Sequence, residues 1–177
     1  NILYRKRDFE TAREYFSRAL DLEPDNSFCL YTCGCCDYYL GESDSAEECW
    51  TRAVTLAPGP PESDVEKIEE TQLSHEMTVR SRTVLFLSLK ALGSLCLEQN
   101  RFQKAGEYLR KAISLRSEDP EIMFMLGKTL ACVEGEPSPE LVREAVSLLE
   151  RHIHLGGRHT AEAADLLNVL REKIKHL

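Results

Sequence analysis

The sequence predicts an all-α protein built of antiparallel helix pairs stacked on one another. The first observation is an internal repeat: the segment Ala46–Pro58 repeats the pattern of Ala12–Pro24 at a distance of 34 residues. A fixed period of this size is typical of repeated two-helix units. The second is that the apolar residues within each copy recur at helical spacing. The third is that Pro24, Gly41 and Gly156-Gly157 fall where predicted helices end.

The repeated positions are small residues alternating with one large apolar residue. In the first two copies they are Ala12, Phe16, Ala19 and Pro24, matched by Ala46, Trp50, Ala53 and Pro58; a third copy has Ala105, Leu109, Ala112 and Ser117. Gly34 adds a small residue in the middle of a predicted helix, which costs roughly 1 kcal/mol relative to Ala. Small residues at these positions indicate that neighbouring helix backbones approach closely.

The first half of the chain holds one partial and one complete helix pair. Leu3 and Tyr4 end a helix, Arg7–Asp8 form a turn, and a helix from Glu10 to Leu22 stops at Pro24. The complete pair has helices at about Ser27–Leu40 and Ser45–Leu56 with a turn at Gly41–Asp44, where Gly41 tolerates a positive φ.

The second half holds two further pairs and a final helix. The third pair has helices at about Arg82–Glu98, with an N-terminal extension as an alternative, and Gln103–Leu115. The fourth pair begins with the cap Asp119-Pro120 and has helices at Glu121–Val133 and Pro139–Leu155, ended by Gly156-Gly157. An amphipathic helix at Thr160–His176 then covers the end of the stack, as terminal helices of repeat proteins do.

An acidic insert interrupts the period between the second and third pairs. Gly59-Pro60-Pro61 form a rigid break, and Glu62–Glu76 contain six acidic residues against one Lys. We interpret this stretch as partly helical or disordered, and favour a tolerated loop insertion over a regulatory or partner-binding segment. The predicted organisation is 1–58, 59–81 (the insert), 82–157 and 158–177.

Composition narrows the classes of partner. The net charge is −8, from 22 basic and 30 acidic residues, which argues against binding a phosphate backbone. No apolar run approaches the ~20 residues that a membrane-spanning helix needs. The seven cysteines show no disulfide-framework spacing, so we expect a reducing, intracellular setting, the cytoplasm first and the nucleus or cilium as alternatives. The opening at Asn1, within the end of a helix, predicts a segment of a longer protein.

These residues resemble the tetratricopeptide repeat (TPR) family. The 34-residue period and the two-helix unit are the family's. Its pattern is met by Leu30, Cys33, Gly34, Ala46, Trp50, Ala53 and Pro58, by Leu89, Leu92, Gly93, Ala105, Leu109 and Ala112, and in the fourth unit by Met123, Leu126, Gly127, Ala145 and Leu149. The resemblance implies a right-handed superhelical solenoid in which the first helix of each pair lines a concave groove, where partner peptides commonly lie.

Register with the family predicts which residues would face that groove. They are Tyr4 and Arg5 in the first unit, Phe28, Tyr31, Cys35, Tyr38 and Tyr39 in the second, Leu87, Lys90 and Ser94 in the third, with Leu97 beside them, and Phe124 and Lys128 in the fourth. Whether Tyr31 and Tyr38 line an open groove or are covered by a neighbouring helix stays open. The second unit lacks the Lys, Asn and Arg with which some TPR proteins grip the carboxylate of chaperones, so a carboxylate clamp is not expected. An apolar or aromatic-anchored segment of a protein or peptide is the predicted ligand.

Two other residue clusters receive structural interpretations. Cys29, Cys33 and Cys36 share one helical face, but without a second chelating pair we expect core packing rather than zinc binding. His152, His154 and His159 surround Gly156-Gly157, and we interpret them as a helix end rather than a metal site. No phosphate-binding loop or catalytic motif is present, so neither a cofactor nor an enzymatic activity is predicted.

The sequence therefore predicts a protein–protein interaction scaffold or adaptor. The alternative from another class is an RNA-binding helical solenoid. That alternative requires a basic groove, which the net charge of −8 does not favour.

Overall fold

The computed structural model describes the backbone of residues 6–57, 72–132 and 138–175, and their side chains except at 6, 7, 72–78 and 174. This part of the chain contains eight α-helices and no strand. They are α1 (Lys6–Leu22), α2 (Ser27–Leu40), α3 (Ser43–Leu56), α4 (Gln72–Glu98), α5 (Phe102–Leu115), α6 (Pro120–Cys132), α7 (Pro139–His154) and α8 (Thr160–Lys175). The all-α prediction is confirmed. The predicted helix end at Leu3 and Tyr4 and most of the acidic insert lie outside the described residues.

Helix α2 begins and ends at the predicted residues because both ends are capped locally. The Asn26 side chain accepts a hydrogen bond from the backbone N–H of Cys29 at 3.0 Å, as an N-cap residue does. At the other end Gly41 has φ +88°, and its N–H donates to the carbonyls of Asp37 and Tyr38.

The later helices are capped in the same way. The Asp119 carboxylate accepts from the N–H groups of Glu121 at 3.1 Å and Ile122 at 3.0 Å, so the predicted cap of α6 is confirmed. Ser138 accepts from the N–H of Leu141 at 3.3 Å and thereby caps α7. Gly156, with φ +71°, follows the end of α7.

Helix α3 begins at Ser43, two residues before the predicted start and inside the predicted turn, and two other predicted boundaries differ by more than two residues. Arg7–Asp8 lie inside α1, so the predicted turn there is wrong; an acidic residue is favourable in the first turn of a helix. Helix α4 begins at Gln72, ten residues before Arg82, which agrees with the N-terminal extension left open above. Since no Gly or Pro occurs between Pro61 and Gly93, nothing in the sequence ends the helix sooner.

The chain divides into two compact bodies, Asn1–Ala91 and Leu92–Leu177, with the boundary inside α4. In the N-terminal body α1 packs on α2, and α2 packs on α3. In the C-terminal body α5 packs on α6, α6 on α7, and α8 on both α6 and α7. Within these sets, helices that follow one another along the chain pack as neighbours, as predicted, and the last helix packs on the two before it.

Glycines in the first helix of each pair allow the second helix to approach closely. A Cβ atom added to Gly34 would lie 2.6 Å from Nε1 of Trp50, and one added to Gly93 would lie 2.6 Å from Cδ2 of Leu109. In the third pair of this kind, a Cβ atom added to Gly127 would lie 2.8 Å from Cγ of Leu149. The close approach predicted at Gly34 is confirmed, and the repeat reproduces it twice.

Candidate partner-binding surface

Helix α2 presents one buried face and one open face. Its buried face comprises Cys29, Leu30, Cys33, Gly34, Cys36 and Asp37. Its open face carries five residues that were predicted to contact a partner. Two of them are well exposed, Phe28 at 56% and Tyr39 at 63%. The other three, Tyr31, Cys35 and Tyr38, are half-buried.

A groove of about 730 Å³ lies between the N-terminal part of α2 and the middle of α4, entirely within the N-terminal body. It brings together three of the predicted residues, Phe28 and Tyr31 from α2 and Leu87 from α4. Val84, only 7% exposed, and Val79, 49% exposed, extend its apolar surface. The remaining lining residues are Asp25, Asn26, Ser27, Arg80, Ser81 and Thr83. We call this feature the α2–α4 groove.

Phe28 is the most exposed aromatic side chain of the groove, and it is braced from one side. Its ring meets the ring of Phe16 edge-on, with centroids 6.2 Å apart at 74°. The ring is therefore supported by α1 while more than half of its surface stays accessible. An exposed aromatic ring with few free rotations is well suited to anchor a partner.

Tyr31 is held in place by the core of the same helix pair. Its carbonyl accepts a hydrogen bond from Nε1 of Trp50 at 3.1 Å, which ties α2 to α3. Burial raises the pKa of the Tyr31 phenol, and the neighbouring Cys35 thiol adds to the increase. The phenol is therefore neutral at neutral pH, and its hydroxyl is hydrogen-bonded to the Cys35 thiol.

The aromatic residues at the other end of α2 form a separate cluster. The Tyr39 ring stacks on the Phe9 ring of α1, with centroids 4.6 Å apart and an interplanar angle of 18°. The centroid of the Tyr38 ring lies 5.6 Å from that of Tyr39 and 5.9 Å from that of Trp50. Neither Tyr38 nor Tyr39 lines the α2–α4 groove. The predicted row of residues on α2 is thus divided between two places.

The sequence interpretation missed half of the groove wall on α4. Val79, Arg80 and Ser81 had been assigned to the acidic insert, yet they lie in α4 and line the groove with Leu87. The absence of helix-breaking residues before Gly93 was the available signal. These three residues can be assigned to the groove wall from the sequence only when the predicted α4 is extended toward Gln72.

In the C-terminal body the predicted residues on α6 contact other parts of the same body. Phe124 is 5% exposed and stacks on His159, with centroids 4.7 Å apart at 13°. Lys128 lies 5.8 Å from the centre of the Phe124 ring, and its Nζ pairs with Glu162 of α8 at 2.7 Å. Chain segments that follow α7 therefore occupy this face.

The remaining predicted residues lie elsewhere. Lys90 and Ser94 on α4 are half-buried, and neither lines the groove; Leu97 is half-buried as well. Tyr4 and Arg5 are outside the described residues.

A second groove, of about 660 Å³, lies beside α1, α2 and α3 and is lined mainly by charged residues. Arg13 there forms ion pairs with Asp37 and, at 3.2 Å, with Glu42. Asp37 is 2% exposed; burial raises the pKa of its carboxyl, and Arg13 opposes the shift. The Cys49 thiol also donates to Asp37, at 3.8 Å. Because this groove is lined mainly by charged residues and its buried Asp37 is already paired with Arg13, we place the candidate binding surface in the α2–α4 groove.

The cysteine and histidine clusters have structural surroundings. Cys29, Cys33 and Cys36 are buried, as predicted, and burial raises the pKa of the Cys33 thiol to about 12, so it stays protonated. His152 is buried as well, with Nδ1 2.6 Å from the carbonyl oxygen of Pro120. Within the described ranges, no three His, Cys, Asp or Glu side chains are grouped so that they could hold a metal ion.

Comparison with known protein families identifies the repeat. The tetratricopeptide repeat family model matches residues 1–26 and 91–119, which contain the first and third copies of the pattern described above. The chain contains tetratricopeptide repeats. Each matched segment includes a second helix of a pair, α1 in one case and α5 in the other.

Two solved structures have a fold similar to that of this chain. The crystal structure of MamA matches with a TM-score of 0.63 and 19% sequence identity, over 95% of this chain and 80% of that chain. A MamA RS-1 ArsTM double mutant matches with a TM-score of 0.54 and 14% identity, over 96% of this chain and 88% of that chain. At these identities the likeness concerns the fold. No curated protein gave a significant match.

A membrane-spanning role finds no support in the helices of the described ranges, since none combines sufficient length with sufficient apolar character.

Proposed function

We propose that this TPR chain is a protein–protein interaction scaffold or adaptor that binds a partner segment in the α2–α4 groove. The observation that carries the proposal is the meeting of Phe28, Tyr31 and Leu87 at one groove of about 730 Å³. These residues come from two first helices of the repeat and were selected from the sequence as partner-contacting. Ligand sites are commonly concave, apolar and roughly 300–1,000 Å³ in volume.

The geometry favours an apolar-anchored segment. Phe28 offers an accessible ring, and Val79 adds exposed aliphatic surface across the groove. The polar residues Ser81 and Thr83 also line the groove on the α4 side. A central apolar contact with polar groups around it is the usual arrangement of an energetically important interface region.

Affinity capture with two matched variants tests this function. Phe28→Ala removes the accessible ring of the groove, whereas Tyr15→Ala removes an aromatic ring that is 67% exposed on α1 and does not line the groove. We expect a set of proteins that the parent and Tyr15→Ala capture and Phe28→Ala loses, with unchanged helical circular dichroism in all three. Identical captured sets for the three proteins would contradict the assignment of the groove.

The RNA-binding alternative is tested with the same proteins. Protein-segment binding is favoured because Arg80 is the only cation among the described residues that line the groove. RNA binding that weakens steeply as salt increases would instead indicate phosphate contacts. The division into 1–58, 59–81, 82–157 and 158–177, and the loop-insertion role of the insert, remain proposals beside this one.

A further inference from the structure

One side chain that lines the α2–α4 groove is bonded to a residue that does not line it. We infer that Cys35 is a positioning residue of the groove, which holds the Tyr31 ring in place as part of the groove wall. This inference rests on the proposed function, because it concerns the same groove. It also gives Tyr31 a defined role, in which a partner contacts the ring and not the hydroxyl.

Tyr31 and Cys35 lie one helical turn apart on α2. Their spacing of i and i+4 makes the two side chains neighbours on the helix surface. The Tyr31 hydroxyl is hydrogen-bonded to the Cys35 thiol. Both side chains are half-buried, but Tyr31 lines the groove and Cys35 does not. Cys35 therefore affects a partner in the groove through Tyr31.

The Cys35 thiol is in turn held by Trp50 of α3. The Trp50 side chain is 3% exposed and packs on Gly34, where an added Cβ atom would lie 2.6 Å from Nε1. Its Nε1 donates to the Tyr31 carbonyl at 3.1 Å and is hydrogen-bonded to the Cys35 thiol as well. One N–H shared between two acceptors is a common arrangement. A buried, tightly packed indole thus fixes the sulfur to which the Tyr31 hydroxyl is bonded.

The direction of the hydrogen bond determines which part of Tyr31 is available. Burial raises the pKa of both the phenol and the thiol, and the hydrogen bond between them adds to the rise at Tyr31 and opposes it at Cys35. This is the pattern expected when the phenol O–H donates to the sulfur. A phenol has one O–H to donate. A partner in the groove therefore meets the ring surface of Tyr31, whose donor is already in use.

The helix pairs share the glycine contacts described above but not this combination of side chains. Aligning the three glycines gives the residues that take the positions of Tyr31 and Cys35, which are Lys90 and Ser94 in α4 and Phe124 and Lys128 in α6. Neither of these pairs combines a phenol with a thiol. The repeat framework therefore does not require the Tyr31–Cys35 contact, and α2, which has it, forms a wall of the groove.

Side-chain NMR of the full chain tests the positioning without any partner. Couplings that report the χ1 angle of Tyr31 should show one rotamer in the parent and in Cys35→Ser, whose hydroxyl also accepts a hydrogen bond. They should be averaged in Cys35→Ala, which offers no acceptor. The χ1 couplings of Phe28, in the same helix and groove, are the control and should stay unchanged. A single Tyr31 rotamer in Cys35→Ala would overturn the inference.

Peptide binding tests the consequence for the groove. The probe is a fluorescent peptide with Phe and Leu at helical spacing and Gln at the other positions, titrated by anisotropy. Two of the three χ1 wells are open to Tyr in a helix, so a freed ring would occupy the productive well about half of the time or less. The affinity of Cys35→Ala should therefore fall about two- to threefold, whereas Cys35→Ser should bind like the parent.

A double-mutant cycle separates positioning from direct contact. Tyr31→Phe keeps the ring and removes the donor, so it should weaken binding about as much as Cys35→Ala does. Adding Cys35→Ala to Tyr31→Phe should cause no further loss, because the hydrogen bond is already absent. Losses that add independently, or equal losses in Cys35→Ala and Cys35→Ser, would show that the sulfur does not act as the acceptor for Tyr31 and would overturn the inference.

The outcomes also separate this inference from the proposed function. A peptide that binds the parent and Cys35→Ala equally, but does not bind Phe28→Ala, would overturn the positioning role and leave the groove standing. Failure of the peptide to bind the parent would count against the groove itself. Averaged Tyr31 couplings in the parent would count against Cys35 alone.

Discussion

Gly34 lies in α2 directly beneath the indole of Trp50, and its replacement by Ala tests how the helix pairs are spaced. The added Cβ would lie 2.6 Å from Nε1 and 2.7 Å from Cδ1 of Trp50. The indole is planar and 3% exposed, and its Nε1 donates to the Tyr31 carbonyl at 3.1 Å. The ring therefore cannot yield by rotating one terminal group, and α3 must shift as a whole.

The magnitude follows from opposing contributions. Ala is favoured over Gly in a helix interior by about 0.5–1 kcal/mol. Overpacking a well-packed core costs about 1–3 kcal/mol, and losing the Trp50–Tyr31 hydrogen bond costs about 0.5–1.5 kcal/mol more. Together these contributions should lower the free energy of unfolding of Gly34→Ala by about 0.5–4 kcal/mol.

The assay uses the position of the only tryptophan in the sequence. Because Trp50 contacts the substituted residue, its fluorescence during urea unfolding reports the α2–α3 packing directly. Gly106→Ala on α5 is the control, since its Cβ would lie 3.7 Å from Arg110 Nη1 and Thr129 Cγ2, which is ordinary contact. Followed by circular dichroism, this control should gain stability by about 0.5–1 kcal/mol.

The two substitutions are chemically identical, so their opposite signs are the decisive result. If Gly34→Ala unfolds at the same urea concentration as the parent or at a higher one, the spacing of α2 and α3 is not limited by Gly34. The explanation of the repeated glycines at positions 93 and 127 would then fail with it.

Three further predictions follow from buried groups. Burial raises the pKa of the Asp37 carboxyl in the folded chain above its ordinary value of 3.8. The unfolded chain therefore loses this proton at a lower pH than the folded chain does. Stability should decline as pH rises through the window between the two pKa values. Asp37→Asn should remove that decline in urea unfolding at a series of pH values; parallel profiles would contradict it. Leu170 on α8 is 2% exposed, and Leu170→Ala should lower the free energy of unfolding by about 2–5 kcal/mol. Its neighbour Val169 is 56% exposed, and Val169→Ala should lower it by less than about 0.5 kcal/mol. Equal thermal melts of the two variants would show that α8 is not packed as described. Ala112→Leu, at a site with no exposed surface, should lower stability by about 1–3 kcal/mol, and an unchanged melt would refute the close helix crossing there.

The candidate site was only partly predictable from the sequence. Phe28, Tyr31 and Leu87 were selected by their positions in the repeat, and they do line one groove. Phe124 was selected by the same rule, but His159 stacks on it. The rule assigns a residue to a helix face, and whether that face stays open depends on what the rest of the chain places over it.

The sequence by itself determined the helices and their close pairing. Helix caps such as Asn26 and Asp119 act within a few residues, and the Gly34–Trp50 contact is encoded by the repeat. Local chemistry and periodicity suffice for such features. The tertiary structure alone decided which surface stays accessible. Val79 and Arg80 joined the groove because α4 extends to Gln72, and α8 covered the face of α6 because its own apolar side had to be buried. Burial of that kind is a property of the whole packed body, and no local pattern specifies it.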